Sequence, residues 1–257
     1  MEGIARSIIE KRVEEKTLAI FWLGQAGFVF KTDRGKIIYI DPYLTECVEQ
    51  AYGFKRIMMS VLDPEEVLAD FIIITHKHED HLDMEAIPII AQTCSARFVG
   101  PPECMEKCHE LGISKGRLIE VVEGYEQNLG GVNALVVFAD HTELAPEAVG
   151  VILDFEFVRV YVTGDTSYRP EKIDKVIPMK PQIIIPVING RFGNMNPQEA
   201  SLLTRNVQAK IAIPCHFWTF VEHNGDPMSF LEACRGKAPQ AKVVLIRQGG
   251  YYVYGRQ

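Results

Sequence analysis

The chain has 257 residues, of which 47% are hydrophobic and 24% charged, the ordinary balance of a globular enzyme. Its formal net charge is −7 and it has no lysine- or arginine-rich run, which argues against a nucleic-acid partner because phosphate backbones favour basic surfaces. No apolar stretch reaches the roughly 18 residues of a membrane-spanning helix, and residues 1–6 lack the apolar core of a signal peptide. We therefore predict a cytoplasmic protein with no membrane or nucleic-acid partner.

The first half of the chain is predicted to begin with an amphipathic helix over residues 3–16, because Ile4, Ile8 and Ile9 recur at helical spacing. A partly helical surface excursion is predicted over 44–62. The pair Asp63-Pro64 predicts a helix start, since aspartate caps helices and proline suits their first position. The remaining expected elements are strands over 18–23, 27–32, 36–40, 71–74, 96–99 and 117–122, with helices after Asp83 and over 101–111.

Each half of the chain is predicted to be a strand-rich meander followed by alternating strands and helices. Strands are predicted over 132–138, 148–155, 159–163, 182–187, 210–214, 241–246 and 251–254, and helices over 170–177, 196–207 and 226–235. No linker-like composition separates the halves, which predicts a single domain over residues 1–257. Two sheets lying face to face, with helices on both outer sides, would fit this order.

The six cysteines are scattered along the chain, which favours free thiols over a disulfide framework. Cys104 and Cys108, followed by His109, could form half of a zinc site. No second pair at ligand spacing completes it, so a structural role in a helix is favoured.

Three histidines and a carboxylate are concentrated directly after the apolar run at 71–74, at His76, His78, Asp80 and His81. Burying that many ionisable groups without partners would be costly. A metal ion is the economical explanation, because it binds neutral imidazoles and carboxylates directly.

Three later residues stand in the same relation to a preceding hydrophobic run: His141, Asp165 and His216. One such residue would mean little, but four in the same position at strand ends indicate a shared site. Imidazole and carboxylate ligands suit zinc, manganese or iron. The spacing excludes the His-Glu-x-x-His motif, and the chain contains neither a Gly-x-Ser-x-Gly elbow nor a phosphate-binding Gly-Lys-Ser/Thr loop.

The pattern His76-x-His78-x-Asp80-His81, continued by His141, Asp165 and His216, resembles the signature of the metallo-β-lactamase superfamily. More narrowly, four segments resemble the L-ascorbate-6-phosphate lactonase (UlaG-like) branch: the segments at 22–27, 40–44, 189–191 and 214–216.

The resemblance implies an α/β fold, a four-layer αβ/βα sandwich of two mixed β-sheets flanked by helices, forming a single hydrolase domain. It implies one or two divalent metal ions. One position would take His76, His78 and His141, and the other Asp80, His81 and His216, with Asp165 bridging them. The lactonase branch is associated with manganese and many other members with zinc; iron also suits these ligands.

The activity implied is hydrolysis of a small anionic lactone or ester, such as a sugar-phosphate lactone, by a metal-bound hydroxide. Asp80, beside the nucleophile, is the best candidate to carry the proton to the leaving alkoxide. The excess positive charge of two ions would attract an anionic substrate.

Arg191 is a candidate anion clamp, because guanidinium matches phosphate and carboxylate oxygens; a solvated loop arginine is the alternative. Asp41 is expected to lie behind the ligands, hydrogen-bonding one of them or holding their turn. Trp22 could line the pocket or belong to the core. The other candidate substrate-binding residues are Asn189, Tyr168, Gln25 and His223, with Asn194 supporting the loop of Asn189.

Three other functions are considered beside a lactonase-like hydrolase. A phosphodiesterase or nuclease of the same fold is disfavoured by the acidic charge. A flavodiiron oxidoreductase would replace His78 with glutamate. A non-catalytic metal-binding protein would bind metal but hydrolyse nothing. A homo-oligomer is predicted.

Overall fold

The computed structural model describes residues 3–223 and 225–255, and the chain divides into two compact units. The first unit contains the described residues up to Glu120 together with those from Ile246 onward, and the second is Val121–Leu245. A single domain over residues 1–257 stays a prediction.

The described residues form fourteen strands: β1 Thr17–Gly24, β2 Gly27–Thr32, β3 Ile37–Ile40, β4 Phe71–Ile73, β5 Arg97–Gly100, β6 Leu118–Glu120, β7 Glu126–Asn128, β8 Asn133–Phe138, β9 Val149–Asp154, β10 Arg159–Val162, β11 Ile183–Ile185, β12 Ile211–Ala212, β13 Lys242–Val243 and β14 Tyr251–Gly255. The same part of the chain forms seven α-helices: α1 Ile4–Glu10, α2 Cys47–Tyr52, α3 Ala86–Thr93, α4 Pro102–Glu110, α5 Pro170–Ile173, α6 Pro197–Asn206 and α7 Pro227–Lys237.

The first unit is built on a seven-stranded mixed sheet in the order β14-β1-β2-β3-β4-β5-β6. Strands β14, β1, β2 and β3 pair antiparallel, and β3 to β6 pair parallel. The parallel pairs are connected by long crossovers that contain α2, α3 and α4, as parallel pairing requires. Buried residues of α1, α3 and α4 share one core with the strands.

The second unit carries another seven-stranded mixed sheet, in the order β13-β12-β11-β10-β9-β8-β7. Strands β7 to β10 pair antiparallel, and β10 to β13 pair parallel. Helix α6 begins with a capping box, in which the Asn196 side chain accepts from the Glu199 backbone while the Glu199 carboxylate accepts from Asn196 N–H. Helices α6 and α7 pack against each other.

Two mixed β-sheets flanked by helices were predicted from the sequence, and this fold class is confirmed. The predicted strands are all present, and β7 is an additional strand that sequence reasoning missed. Its residues Glu126–Asn128 are polar and largely exposed, so they carry no alternation of apolar and polar positions.

Three helix predictions need correction. The helix expected over residues 3–16 ends at Glu10, and the helix expected over 170–177 ends at Ile173. The helix expected to start at Asp63 is only the 3₁₀ turn Pro64–Glu66, because Val67 adopts an extended backbone and is fully buried, which ends the helical path. The Asp63 side chain makes no capping hydrogen bond, and a single turn started by Pro64 is not prolonged when the next apolar residue must enter the core.

All six cysteines are free. Cys104 and Cys108 are buried in α4 within the core of the first unit, which supports their structural role. Within the described ranges, no helix is both long and apolar enough to cross a membrane.

Candidate metal centre

The turn after β4 presents four of the predicted ligands from the first unit. Nε2 of His76 lies 2.9 Å from Nδ1 of His78, and Nε2 of His81 lies 3.7 Å from Oδ2 of Asp80. Two imidazole nitrogens this close are bridged either by one proton or by a common ion. The adjacent carboxylate and third imidazole make a donor set that fits a divalent metal.

Asp41, at the end of β3, stands behind the ligand turn. Its Oδ1 accepts from the Thr75 N–H at 2.8 Å, and its Oδ2 accepts from Thr75 Oγ1 at 2.6 Å and from Nδ1 of His81 at 2.7 Å. An ionised carboxylate only accepts, so Nδ1 of His81 carries the proton and Nε2 keeps its lone pair for a ligand bond. Asp41 thus fixes both the tautomer and the direction of His81.

Gln25 is fully buried in the turn between β1 and β2. Its Nε2 donates to Oδ2 of Asp80 at 2.6 Å. Its own carbonyl accepts from the indole N–H of Trp22 at 3.0 Å, and Trp22 is itself buried. Trp22 is therefore a core residue that holds the Gln25 turn, and Gln25 contacts a predicted metal ligand.

Asp83 ties the far side of the ligand turn to the chain after β3. Its carboxylate accepts from the backbone N–H groups of Leu44, Thr45, Glu85 and Ala86 and from the Thr45 hydroxyl. It thereby anchors the start of α3, which begins at Ala86 and so slightly later than the sequence predicted.

The two variable residues of the ligand turn are engaged elsewhere. Lys77 pairs with Glu103 at 2.5 Å, and Glu79 accepts from the Tyr52 hydroxyl at 2.8 Å. The side chains of Lys77 and Glu79 therefore anchor the turn, and they alternate with the predicted ligands His76, His78 and Asp80.

The second unit gathers the other three predicted ligands around one carboxylate. Oδ1 of Asp165 lies 3.3 Å from Nε2 of His216, and Oδ2 lies 3.8 Å from Nε2 of His141. Nδ2 of Asn194 donates to Oδ2 of Asp165 at 2.6 Å. All four side chains are buried. A carboxylate with one imidazole near each of its oxygens has the arrangement expected of a ligand shared by two metal ions.

Asp140 directly precedes the predicted ligand His141 and anchors the loop that carries it. Burial opposes its ionisation, yet hydrogen bonds from Ser167 and Arg169 hold the pKa of its carboxyl below the usual value. The backbone N–H of Asp140 donates to Thr166 Oγ1 at 2.8 Å, which joins the His141 loop to the loop of Asp165.

Strand direction explains why residues distant in sequence meet within each unit. In the first sheet β1, β3 and β4 run the same way, so Gln25, Asp41 and His76 follow the same ends of three strands. In the second sheet β8, β10 and β12 also run the same way, and they are followed by His141, Asp165 and His216. Side chains at such ends collect at one edge of a sheet.

The candidate substrate residues lie in different surroundings. The ring of His223 lies 4.7 Å from that of His216, so it is beside a predicted ligand. Arg191 is exposed in the turn between Asn189 and Asn194. The hydroxyl of Tyr168 accepts from Asn206 Nδ2 at 2.9 Å and therefore faces α6. The substrate role of each stays a prediction.

All seven predicted ligands occur in groups of histidine and aspartate side chains that can hold a metal ion. Sequence reasoning missed Thr75 and the direct contacts of Gln25 and Asn194 with ligands. Thr75 precedes His76 immediately, which was an available signal. Nothing local distinguishes Asn194 from Asn189.

A family model described as a β-lactamase superfamily domain matches residues 19–216, which is more than half of the chain. The protein belongs to the β-lactamase superfamily. It is a metal-dependent hydrolase of this superfamily, as the relatives below also indicate.

A UPF0173 metal-dependent hydrolase of Aeropyrum pernix is 30% identical over 247 residues, covering 91% of this chain and 96% of the relative. A UPF0173 metal-dependent hydrolase of Polynucleobacter asymbioticus is 28% identical, covering 90% of this chain and 84% of the relative.

Among solved structures, the metallo hydrolase Igni18 of Ignicoccus hospitalis matches with a TM-score of 0.74 and 23% identity, covering 94% of this chain and 100% of Igni18. A possible metal-dependent hydrolase of Veillonella parvula matches with a TM-score of 0.76 and 18% identity, covering 91% of this chain and 98% of that one. At these identities, the likeness shows the shared superfamily fold.

Proposed function

We propose that this superfamily member hydrolyses a small anionic lactone or ester, with a sugar-phosphate lactone as the leading candidate. The observation that carries the proposal is the donor set: only imidazoles and carboxylates, with His76 and His78 nitrogens 2.9 Å apart and Asp165 next to two histidines. His78 occupies the position where flavodiiron oxidoreductases of this scaffold would have glutamate, which favours hydrolysis over redox chemistry.

The assignment of ligands to the ions follows the superfamily resemblance. His76, His78 and His141 would hold one ion, Asp80, His81 and His216 the other, and Asp165 would bridge them. Bound manganese or zinc would supply the charge that lowers the pKa of water and polarises a carbonyl oxygen.

Three residues of the chain would carry the remaining steps. Asp80 is held in place by Gln25 and would accept the proton of the nucleophile and deliver it to the leaving alkoxide oxygen. Arg191, exposed on its turn, would pair with the anionic group of the substrate. His223, beside His216, would contact the substrate next to the reacting bond.

Two buried amide oxygens support a substrate that carries hydroxyl groups. Oδ1 of Asn189 and Oδ1 of Asn194 are buried and accept no hydrogen bond within the described ranges. Such acceptors are costly unless a donor reaches them. Hydroxyl groups of a sugar-like substrate, or water in its absence, would be such donors.

The test combines elemental analysis with a substrate panel. Protein purified without added metal is analysed for bound metals, and lactones, sugar-phosphate lactones, esters and phosphodiesters are assayed in parallel. We expect anionic lactones or esters to be hydrolysed, with activity lost to a chelator and restored by manganese or zinc. Hydrolysis of phosphodiesters alone would instead favour a phosphodiesterase, and metal binding without turnover of any compound would favour a non-catalytic role.

A matched pair of histidine variants makes the test specific. His76→Ala should lose both bound metal and activity. His109→Ala should keep both, because His109 lies on α4 and contacts the Ile113 carbonyl. Full metal content and activity in His76→Ala would refute the proposed centre.

A further inference from the structure

Each unit directs one side-chain amide at the carboxylate of its own ligand set. Nε2 of Gln25 donates to Oδ2 of Asp80, and Nδ2 of Asn194 donates to Oδ2 of Asp165, each at 2.6 Å. Both amides come from loops at the ends of strands and are buried or nearly so. Neither contact follows from a ligand motif in the sequence.

The geometry gives the two amides a defined physical effect. A hydrogen bond from a neutral N–H to an ionised carboxylate is strong and directional, so it fixes the rotation of the carboxylate plane. An amide cannot take up or release a proton in the physiological range, so this hold persists across pH.

The backbone around Gln25 shows that its position is tightly determined. Gln25 itself has φ +48°, and the preceding Gly24 has φ +107°. The Gln25 carbonyl is held by the Trp22 indole, and the Leu23 carbonyl by Nε2 of Gln248. A left-handed residue in such a turn is maintained only when its surroundings fix it.

Asn194 is fixed in a comparable way. Its backbone N–H donates to the Arg191 carbonyl at 3.0 Å, and the next residue, Met195, donates to the Thr166 carbonyl at 2.9 Å. Thr166 directly follows Asp165, so the loop that carries Asn194 is bonded to the loop that carries the carboxylate. The Asn194–Asp165 contact is thus reinforced on both sides.

We infer that Gln25 and Asn194 are positioning residues that set the affinity of the metal centre by orienting Asp80 and Asp165. The inference rests on the two-ion arrangement of the proposed function. Because Asp80 would bind one ion, Gln25 acts on that ion. Because Asp165 would bridge, Asn194 acts on both ions. Removal of an outer hydrogen bond to a metal ligand weakens metal binding by about 10- to 100-fold.

The test is a titration of metal-free protein with manganese or zinc in competition with a coloured chelator, which measures each binding step without any substrate. Gln25→Ala should weaken one of two steps by about 10- to 100-fold, and Asn194→Ala should weaken both. Gln25→Met and Asn194→Leu keep roughly the side-chain size but carry neither a donor nor a charge. They should weaken the same steps, which separates the hydrogen bond from packing and gives a reading if an alanine variant does not fold.

Matched amides outside the ligand sets serve as controls. Gln240→Ala removes an amide that donates to the Thr204 carbonyl, and Asn128→Ala removes one in the hairpin of β7 and β8. Both should bind metal like the unaltered chain. If the unaltered chain binds metal and all four Gln25 and Asn194 variants match it within twofold, the positioning role is wrong while the proposed function stands. If the unaltered chain binds no metal, both are wrong.

Discussion

Replacing Asp41 with asparagine should destabilise the protein by about 1–3 kcal/mol, because one buried donor is left facing another donor. Both carboxylate oxygens of Asp41 are used: Oδ1 accepts from the Thr75 N–H, and Oδ2 accepts from the Thr75 hydroxyl and from His81. An asparagine oxygen can serve one side only, and its NH₂ group then meets an N–H or O–H on the other.

Asparagine is chosen because Asp41 has φ +45°, a left-handed backbone that asparagine adopts about as readily as aspartate. The substitution therefore tests the hydrogen bonds and not backbone strain. Loss of the charge also weakens the hold on the His81 tautomer, so metal affinity should fall by about 10- to 100-fold.

The assay is urea unfolding in the presence of excess chelator, which removes the contribution of metal binding to stability. Asp63→Asn is the matched control, since Asp63 is exposed and its side chain caps nothing. A loss below about 0.5 kcal/mol for Asp41→Asn, indistinguishable from this surface control, would refute the reasoning.

Three further predictions concern metal removal and two capping carboxylates. Metal at a concentration about a hundredfold above its dissociation constant should raise the free energy of unfolding by about 2.7 kcal/mol relative to metal-free protein, as measured by thermal or urea unfolding. The same increase in a His76→Ala variant would contradict the proposed ligand set. Asp83→Ala should cost about 2–4 kcal/mol in urea unfolding, because five donors including the Thr45 hydroxyl lose their acceptor, and a near-neutral result would contradict the anchoring role. Asp226→Ala should cost about 1 kcal/mol, because Asp226 caps α7. The hydrogen bond from the Ser229 hydroxyl lowers the pKa of Asp226 in the folded protein. The stabilisation by Asp226 is therefore fully present above its unfolded-state pKa and is lost as pH falls through the lower folded-state pKa. A difference in stability between Asp226→Ala and the unaltered chain that does not change with pH would contradict this.

The strands and the ligand residues could be predicted from the sequence because both depend on local patterns. A strand such as β4 is an apolar run, and a polar residue such as His76 directly after it must lie at a strand end. The same reasoning reached His141, Asp165 and His216 separately. It also placed the starts of two helices at Asn196 and Asp226, and in the structure these residues cap α6 and α7.

The same local reasoning was wrong where a predicted helix start is followed closely by a residue that is buried in the core. Asp63 and Pro64 are good starting residues, yet only one 3₁₀ turn forms before Val67 leaves it to be buried. Local preference is worth tenths of a kcal/mol to about 1 kcal/mol per residue, and burial of a valine side chain is worth about 1.5–3 kcal/mol. The core therefore decides the path.

The sequence by itself determined which side chains could be ligands and that each follows a strand. Only the tertiary structure decided what holds them. Gln25 and Asp80 are 55 positions apart, and Asn194 and Asp165 are 29 apart, so neither contact leaves a periodic or spacing pattern. The direction of each strand in its sheet brings these residues to the same edge, and strand direction is fixed by pairing between distant segments.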